Sequence, residues 1–293
     1  MLHSAADQST PGPFTRQGLA EDLSALGLER GDVVIVHASL RAIGWVAGGG
    51  VALQQALRDA VGEEGTLVVP SFTTYLSDPG SWVNRPVPPQ WWETVRATLP
   101  PFDPHLHAAQ PGLGRFPEIV RSAGSARRSA HPLYSFVADG PHAGRILAAH
   151  PLSYGLGGDG PLGRLHDLGA KALLLGVGWD KCTMLHLSEH LTPFRGRRTH
   201  RVAVPTGRAG EATVWRETRQ LVMYEGDFGR AGEYIGSRGA GRTGTVGNAR
   251  SVLCPVRPLV DWASAYFLRH RNMTRAVAPP YFGDVRESEP AAL

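Results

Sequence analysis

The chain has 293 residues, 42% hydrophobic and 19% charged, which fits one large or two modest globular domains and excludes intrinsic disorder. No apolar run approaches the ~18 residues of a membrane span, Met1 to Asp7 carry no secretory pattern, and Cys182 and Cys254 are too few for a disulfide scaffold or a cysteine-built zinc site. The net charge of +4 comes from dispersed arginines, with lysine only at 171 and 181, so no basic stripe points to nucleic acid and a cytoplasmic protein without membrane or nucleic-acid partners is expected. Residues 1–14 read as a loose tail. A helix over Thr15–Leu26 follows, with Leu19, Leu23 and Leu26 at helical spacing, Thr15 as its cap and Gly27 as its stop. Val33 to Val36 is a strand of the kind buried on both faces. Gly48–Gly50 opens a helix over Val51–Val61, and Gly65 turns into a strand at Thr66–Pro70: strand, helix, strand, and so a parallel pair.

Residues 76–112, rich in Pro, Trp and Asp, read as a long functional loop. Further elements are expected at Phe116–Arg121, Pro141–His150 (helix), Ala172–Gly176 (strand) and Thr183–Leu191 (helix). Val202, Val204, Thr213 and Trp215 suggest a hairpin, Gly226–Gly247 reads as a glycine-rich loop, and Leu259–Arg269 as an amphipathic helix. The sum is one α/β domain over residues 15–275, with a mostly parallel central sheet, flanking helices and a small antiparallel appendage, and a tail over 276–293.

Three stretches carry chemistry. Val36-His37-Ala38-Ser39-Leu40-Arg41 ends the first strand, where open parallel sheets bind ligands and a helix start offers N–H groups to an anion. Arg127-Arg128-Ser129 suits a phosphate, or is a solvated turn. The third runs from Gly176 to His190, where His186 and Glu189 lie three apart on one helical face, with Thr183 one turn before them. A carboxylate beside an imidazole fixes its tautomer and raises its basicity, which makes a general base. A metal is disfavoured: His186, Glu189 and His190 do not match the H-E-x-x-H pattern. No G-x-S-x-G elbow or cysteine signature supports a covalent nucleophile.

These stretches, with Gly65-Thr66-Leu67-Val68-Val69-Pro70, Pro117-Glu118, Arg128-Ser129-Ala130-His131-Pro132 and Leu173-Leu174-Leu175-Gly176-Val177-Gly178, closely resemble the aminoglycoside N3-acetyltransferase family from about residue 15 to 270. The resemblance implies that family's α/β fold and acetyl-coenzyme A as co-substrate without a metal. His186 matches the family's catalytic histidine, supported by Glu189 and assisted by Thr183. It implies coenzyme contacts at His37, Ala38, Ser39, Leu40, Arg41, Ser71, Arg128 and Ser129. Acidic or polar walls for a polycationic amine acceptor are expected from Tyr75, Glu118 and Asp180, with Asp78 and Asp103 as further candidates. Gly160 stands where the family usually has Ser, and Ala38 where Ser is common. Direct transfer is expected, with the oxyanion held by N–H groups of the His37–Leu40 turn or by Thr183. The alternative is an N-acyltransferase of a secondary-metabolite pathway with another primary amine as acceptor. A homodimer is left open.

Overall fold

In the computed structural model, which describes residues 12–82, 86–208, 210–275 and 289–290, the expected first helix forms as α1 (Arg16–Leu26). Thr15 Oγ1 accepts from the Gly18 N–H at 3.1 Å, and Gly27 ends the helix at φ 109°, a left-handed conformation that costs a residue without Cβ little. Residues 1–11 of the expected N-terminal tail lie outside the described residues, while Phe14 exchanges backbone hydrogen bonds of 2.9 Å with Trp45 and Ala47.

The chain continues through β1 (Val33–Ala38), α2 (Leu40–Ile43), α3 (Gly49–Val61) and β2 (Thr66–Pro70). After the long 76–112 segment and its short helix α4 (Trp92–Thr98) come α5 (Phe116–Arg121), β3 (Arg127–Arg128), β4 (Phe136–Asp139), α6 (Ala143–Leu147), α7 (Pro161–Asp167) and β5 (Lys171–Leu175). The last third holds α8 (Met184–Leu191), β6 (Arg198–Thr206), β7 (Val214–Leu221), α9 (Phe228–Ser237), β8 (Arg242–Val246), β9 (Ala249–Pro255), α10 (Val256–His270) and β10 (Glu289–Pro290). The rest of the expected C-terminal tail, 276–288 and 291–293, lies outside the described residues.

The main sheet runs β3-β4-β2-β1-β5-β9-β8. Its centre is parallel, β1 pairing with β2 on one side and β5 on the other, and its wings are antiparallel. Antiparallel pairing thus reaches further into the main sheet than the sequence suggested, because β4 and β9 carry short apolar runs without a crossover signature. Alternate residues of the central strands face opposite layers. Val34, Val36, Leu67, Val69, Leu173 and Leu175 pack toward α1, α3 and α5, whereas Ile35, Val68, Ala172 and Leu174 face the layer of α6 to α10. The expected hairpin is β6–β7, to which β10 adds an edge.

Two expectations give way. Residues 226–247 are not a loop: Phe228, Ala231 and Ile235 form the buried stripe of α9, and β8 is a polar edge strand paired along β9. The helix expected over Pro141–His150 is only α6, ended at Leu147. The 76–112 segment is anchored to the hairpin: Trp215 Nε1 donates to Arg96 O at 2.9 Å, Thr213 Oγ1 to Leu99 O at 2.5 Å and Asp78 N to Ala203 O at 2.9 Å.

Candidate active site

The parallel centre brings the carboxyl ends of β1 and β5 side by side, and the site is built there. His37, buried near the end of β1, accepts on Nε2 from the Thr183 N–H at 3.3 Å, which joins the strand to the first turn of α8. Gly176, just past β5, has φ 62° and packs on Ala42, so strand and turn approach closely. Ser39 N donates to Leu175 O at 2.9 Å, and Ser39 Oγ caps Ala42 N at 3.3 Å. The first-turn N–H groups of Leu40 and Arg41 are left without a backbone partner among the described residues. Arg41 is exposed beside them.

On α8, Nδ1 of His186 lies 2.6 Å from Oε2 of Glu189, and both side chains are buried. The other carboxylate oxygen, Oε1, accepts from the Tyr224 N–H at 2.9 Å and from Nη1 of Arg271. Arg271, 4% exposed, also grips Asp227 through Nε at 3.0 Å and Nη2 at 2.5 Å, donates to Tyr224 O at 3.0 Å, and stacks 3.7 Å from the Phe267 ring centroid. A buried carboxylate is tolerable only when paired and hydrogen-bonded; Glu189 is both. Nε2 of His186 faces Glu225, 3.6 Å from its Oε1.

Electrostatics separate the two histidines. Burial, reinforced by the charge of His186, drives His37 down to about 3, so it stays a neutral acceptor. Burial alone would lower His186 too, but the hydrogen bonds and charges of Glu189 and Glu225 outweigh it and raise it to about 9. Glu189 is lowered: burial opposes ionisation, and His186, Arg271 and the Tyr224 amide overcome it.

Thr183 sits at the same junction, and its hydroxyl has no hydrogen bond among the described residues. The other expected residues lie on segments outside α2 and α8. Arg128 spends its guanidinium on structure: Nε on Ser135 Oγ at 3.0 Å, Nη1 on the Pro104 and His107 carbonyls, Nη2 on Ser71 O at 2.7 Å. Ser71 is fully buried and its hydroxyl has no hydrogen-bond partner among the described residues. Ser129 Oγ accepts from Phe136 N at 2.9 Å and contacts His150 Nδ1 at 3.0 Å. Tyr75 donates to Ala108 O at 2.8 Å, and Glu118 holds Ala109 N at 2.9 Å and Arg121 at 2.8 Å. Asp180 is half-exposed against Lys181, Asp78 pairs with Arg96 and Asp103 caps His105 N. Gly160 precedes Pro161 at the start of α7.

Sequence reasoning missed Glu225, Asp227 and Arg271. Asp227 lies in the stretch read as a loop and Glu225 immediately before it, and Asp227 ahead of the Phe228/Ala231/Ile235 spacing is a helix-start signal. Arg271 follows α10 directly and has no local signal. Among the described residues, no group of three His, Cys, Asp or Glu is placed to hold a metal ion, and no helix is long and apolar enough to cross a membrane.

Comparison with known proteins agrees with this fold. The family pattern described as aminoglycoside 3-N-acetyltransferase matches residues 35–268. YokD of Bacillus subtilis, described as an SPbeta prophage-derived aminoglycoside N(3')-acetyltransferase-like protein, is 41% identical over 90% of this chain and 96% of its own. Its crystal structure superposes with a TM-score of 0.86 over 92% of this chain and 98% of that one. Aminoglycoside N(3)-acetyltransferase VII of Streptomyces paromomycinus is 40% identical over 87% of this chain and 92% of its own. AAC-IIIb in its binary complex with CoASH is 33% identical, with a TM-score of 0.79 over 90% of this chain and all of that one. The chain belongs to the aminoglycoside 3-N-acetyltransferase family.

Proposed function

We propose that this chain transfers the acetyl group of acetyl-coenzyme A to the 3-amino group of an aminoglycoside, in the cytoplasm, with His186 as general base and no acyl-enzyme. Membership of the family and the relative that carries CoASH support the donor. The observation that carries the chemistry is the His186–Glu189 contact of 2.6 Å in a buried setting. An ionised carboxylate on Nδ1 places the proton there, which leaves Nε2 as the atom that takes a proton.

The steps balance. Nε2 removes one proton from the acceptor ammonium, and the amine attacks the thioester carbonyl. The tetrahedral adduct breaks its C–S bond, the departing thiolate takes the proton back from Nε2, and the amide nitrogen sheds its second proton to solvent. Oxyanion charge falls to the Thr183 hydroxyl and the open N–H groups of Leu40 and Arg41, and such a donor is worth about 3 kcal/mol. Arg41 and Ser39 at the same turn face the coenzyme's phosphates, while Arg128 acts behind them by holding the 104–107 segment against Ser71. Tyr75, Glu118 and Asp180 remain the acceptor contacts we assign. Direct transfer is supported by the thiols: burial pushes Cys182 and Cys254 up to about 12, so neither is a thiolate at neutral pH.

His186→Ala tests the reading. Turnover of acetyl-coenzyme A with sisomicin is expected to fall about 100-fold or more, with coenzyme affinity held. Near-normal turnover of that variant at neutral pH, or acetylation at a position other than the 3-amino group, would overturn it.

A further inference from the structure

Nε2 of His186 has a neighbour the acetyl transfer does not use. Oε1 of Glu225 lies 3.6 Å away, too far for a good hydrogen bond but close enough for an ion pair, and the two side chains are 7% and 44% exposed. Glu225 belongs to the segment between β7 and α9, so it overhangs the site from a different element than Glu189. The buried Tyr134 hydroxyl, ahead of β4, has no hydrogen-bond partner among the described residues, and the charge of Glu225 reaches it.

The charges around Nε2 can be counted. Glu189 and His190 come from α8, His37 from β1, Glu225 and Asp227 from the β7–α9 segment, and Arg271 from beyond α10. Burial keeps His37 and His190 neutral, at about 3 and about 4. Arg271 lies between Glu189 and Asp227 and neutralises one of them. A cation beside Glu225 is therefore favoured, and in the empty site the imidazolium of His186 is that cation. It cannot then accept a proton. An amine nitrogen bonded to Nε2 and to a carboxylate at about 2.8 Å each spans about 4.6 Å, so an outward swing of Glu225 by about 1 Å makes room for the acceptor's ammonium. Two cations so close repel, and an imidazolium whose Glu225 partner has turned to the ammonium loses part of the charge that held its proton.

We propose that Glu225 is a positioning residue that gates the base: it holds His186 as imidazolium while the site is empty and exchanges that partner for the acceptor's ammonium, freeing Nε2 when substrate arrives. The displaced proton leaves along the half-exposed carboxylate to solvent. The gate rests on the reading of His186 as base toward an amine acceptor, and it adds a specificity: uncharged amines do not open it.

The test is a ¹⁵N-histidine titration of the full chain, with and without sisomicin, for wild type, Glu225→Gln and Glu225→Asp. In wild type the His186 midpoint is expected near 9 when free, as the charges around it give, and lower by about one pH unit or more with sisomicin bound. Glu225→Gln is expected to start low and to move little on binding; Glu225→Asp, which keeps the charge, is expected to behave as wild type. In steady state, Glu225→Gln should move the acidic limb of kcat/KM for sisomicin to lower pH and raise its KM about tenfold or more, leaving the KM of acetyl-coenzyme A alone. A His186 midpoint that neither the Gln variant nor sisomicin moves overturns the gate. Failure of wild type to acetylate sisomicin counts against the transfer reading instead, because the titration reads the gate without turnover.

Discussion

Arg271 carries an unusual share of the site for a residue that touches no reactant. Its side chain is 1% exposed, and its guanidinium is held by Glu189, Asp227 and the Tyr224 carbonyl among four aromatic rings. Removing one partner of a buried ion pair strands the other charge and typically costs about 3–5 kcal/mol. Arg271→Met is expected to destabilise the fold by that amount in denaturant unfolding, and Glu189→Gln in the same chain to restore part of it, because the stranded carboxylate is then gone. Full additivity of the two losses would contradict the pairing. At this scale the site was half legible. His186, Glu189 and Thr183 follow one another at helical spacing, and His37 closes a β-branched strand, so local pattern places them. Arg271 meets Glu189 across 82 residues, a pairing that no window of sequence contains.

Helix α9 shows what glycine hides at the scale of an element. Four glycines between 226 and 236 lower helix propensity by about 1 kcal/mol each, and the stretch reads as a loop on that account. The glycines do different things. A side chain at Gly232 would enter the Trp179 indole, so α9 lies flush on the turn that leads to α8, whereas Gly229 faces open space. Gly232→Val is therefore expected to cost about 1–3 kcal/mol by overpacking and to lower turnover, since α9 begins at the Asp227 that Arg271 grips. Gly229→Ala is expected to be neutral or to stabilise by up to about 1 kcal/mol. Thermal unfolding and turnover of the two variants decide it; equal effects would mean that packing on Trp179 is not what shapes the helix. Strands β8 and β9 escaped notice for a related reason. An edge strand such as Arg242–Val246 is held by its neighbour's backbone and needs no apolar alternation of its own.

For the whole molecule, the histidines set the response to pH. Burial keeps His37 and His131 down at about 3, and His150, His190 and His200 at about 4. Unfolded, each binds a proton near 6.5. Stability from these five groups is present above that value and drains as pH falls toward 4, by about 1.4 kcal/mol per pH unit for each. His186 runs the other way. Raised to about 9, it stabilises fully below 6.5, and that stability is lost as pH rises through 9. The melting temperature is expected to peak near neutrality, to fall steeply between pH 6.5 and 4.5 and to decline gently toward 9; calorimetry showing a flat acid side would contradict the neutral histidines. The three-layer plan was legible because buried parallel strands write themselves as continuous apolar runs, while the antiparallel wing of β9 and β8 depends on partners that come more than 70 residues after β5 begins. The same lateness marks the ion pair that closes the site. A ribosome adding about 5–20 residues per second needs roughly 4–16 s to travel the 82 residues from Glu189 to Arg271. During that interval α8 exists without the cation that makes its carboxylate fit to bury. The nascent protein must therefore leave the helix that holds its base undocked until Arg271 has been added.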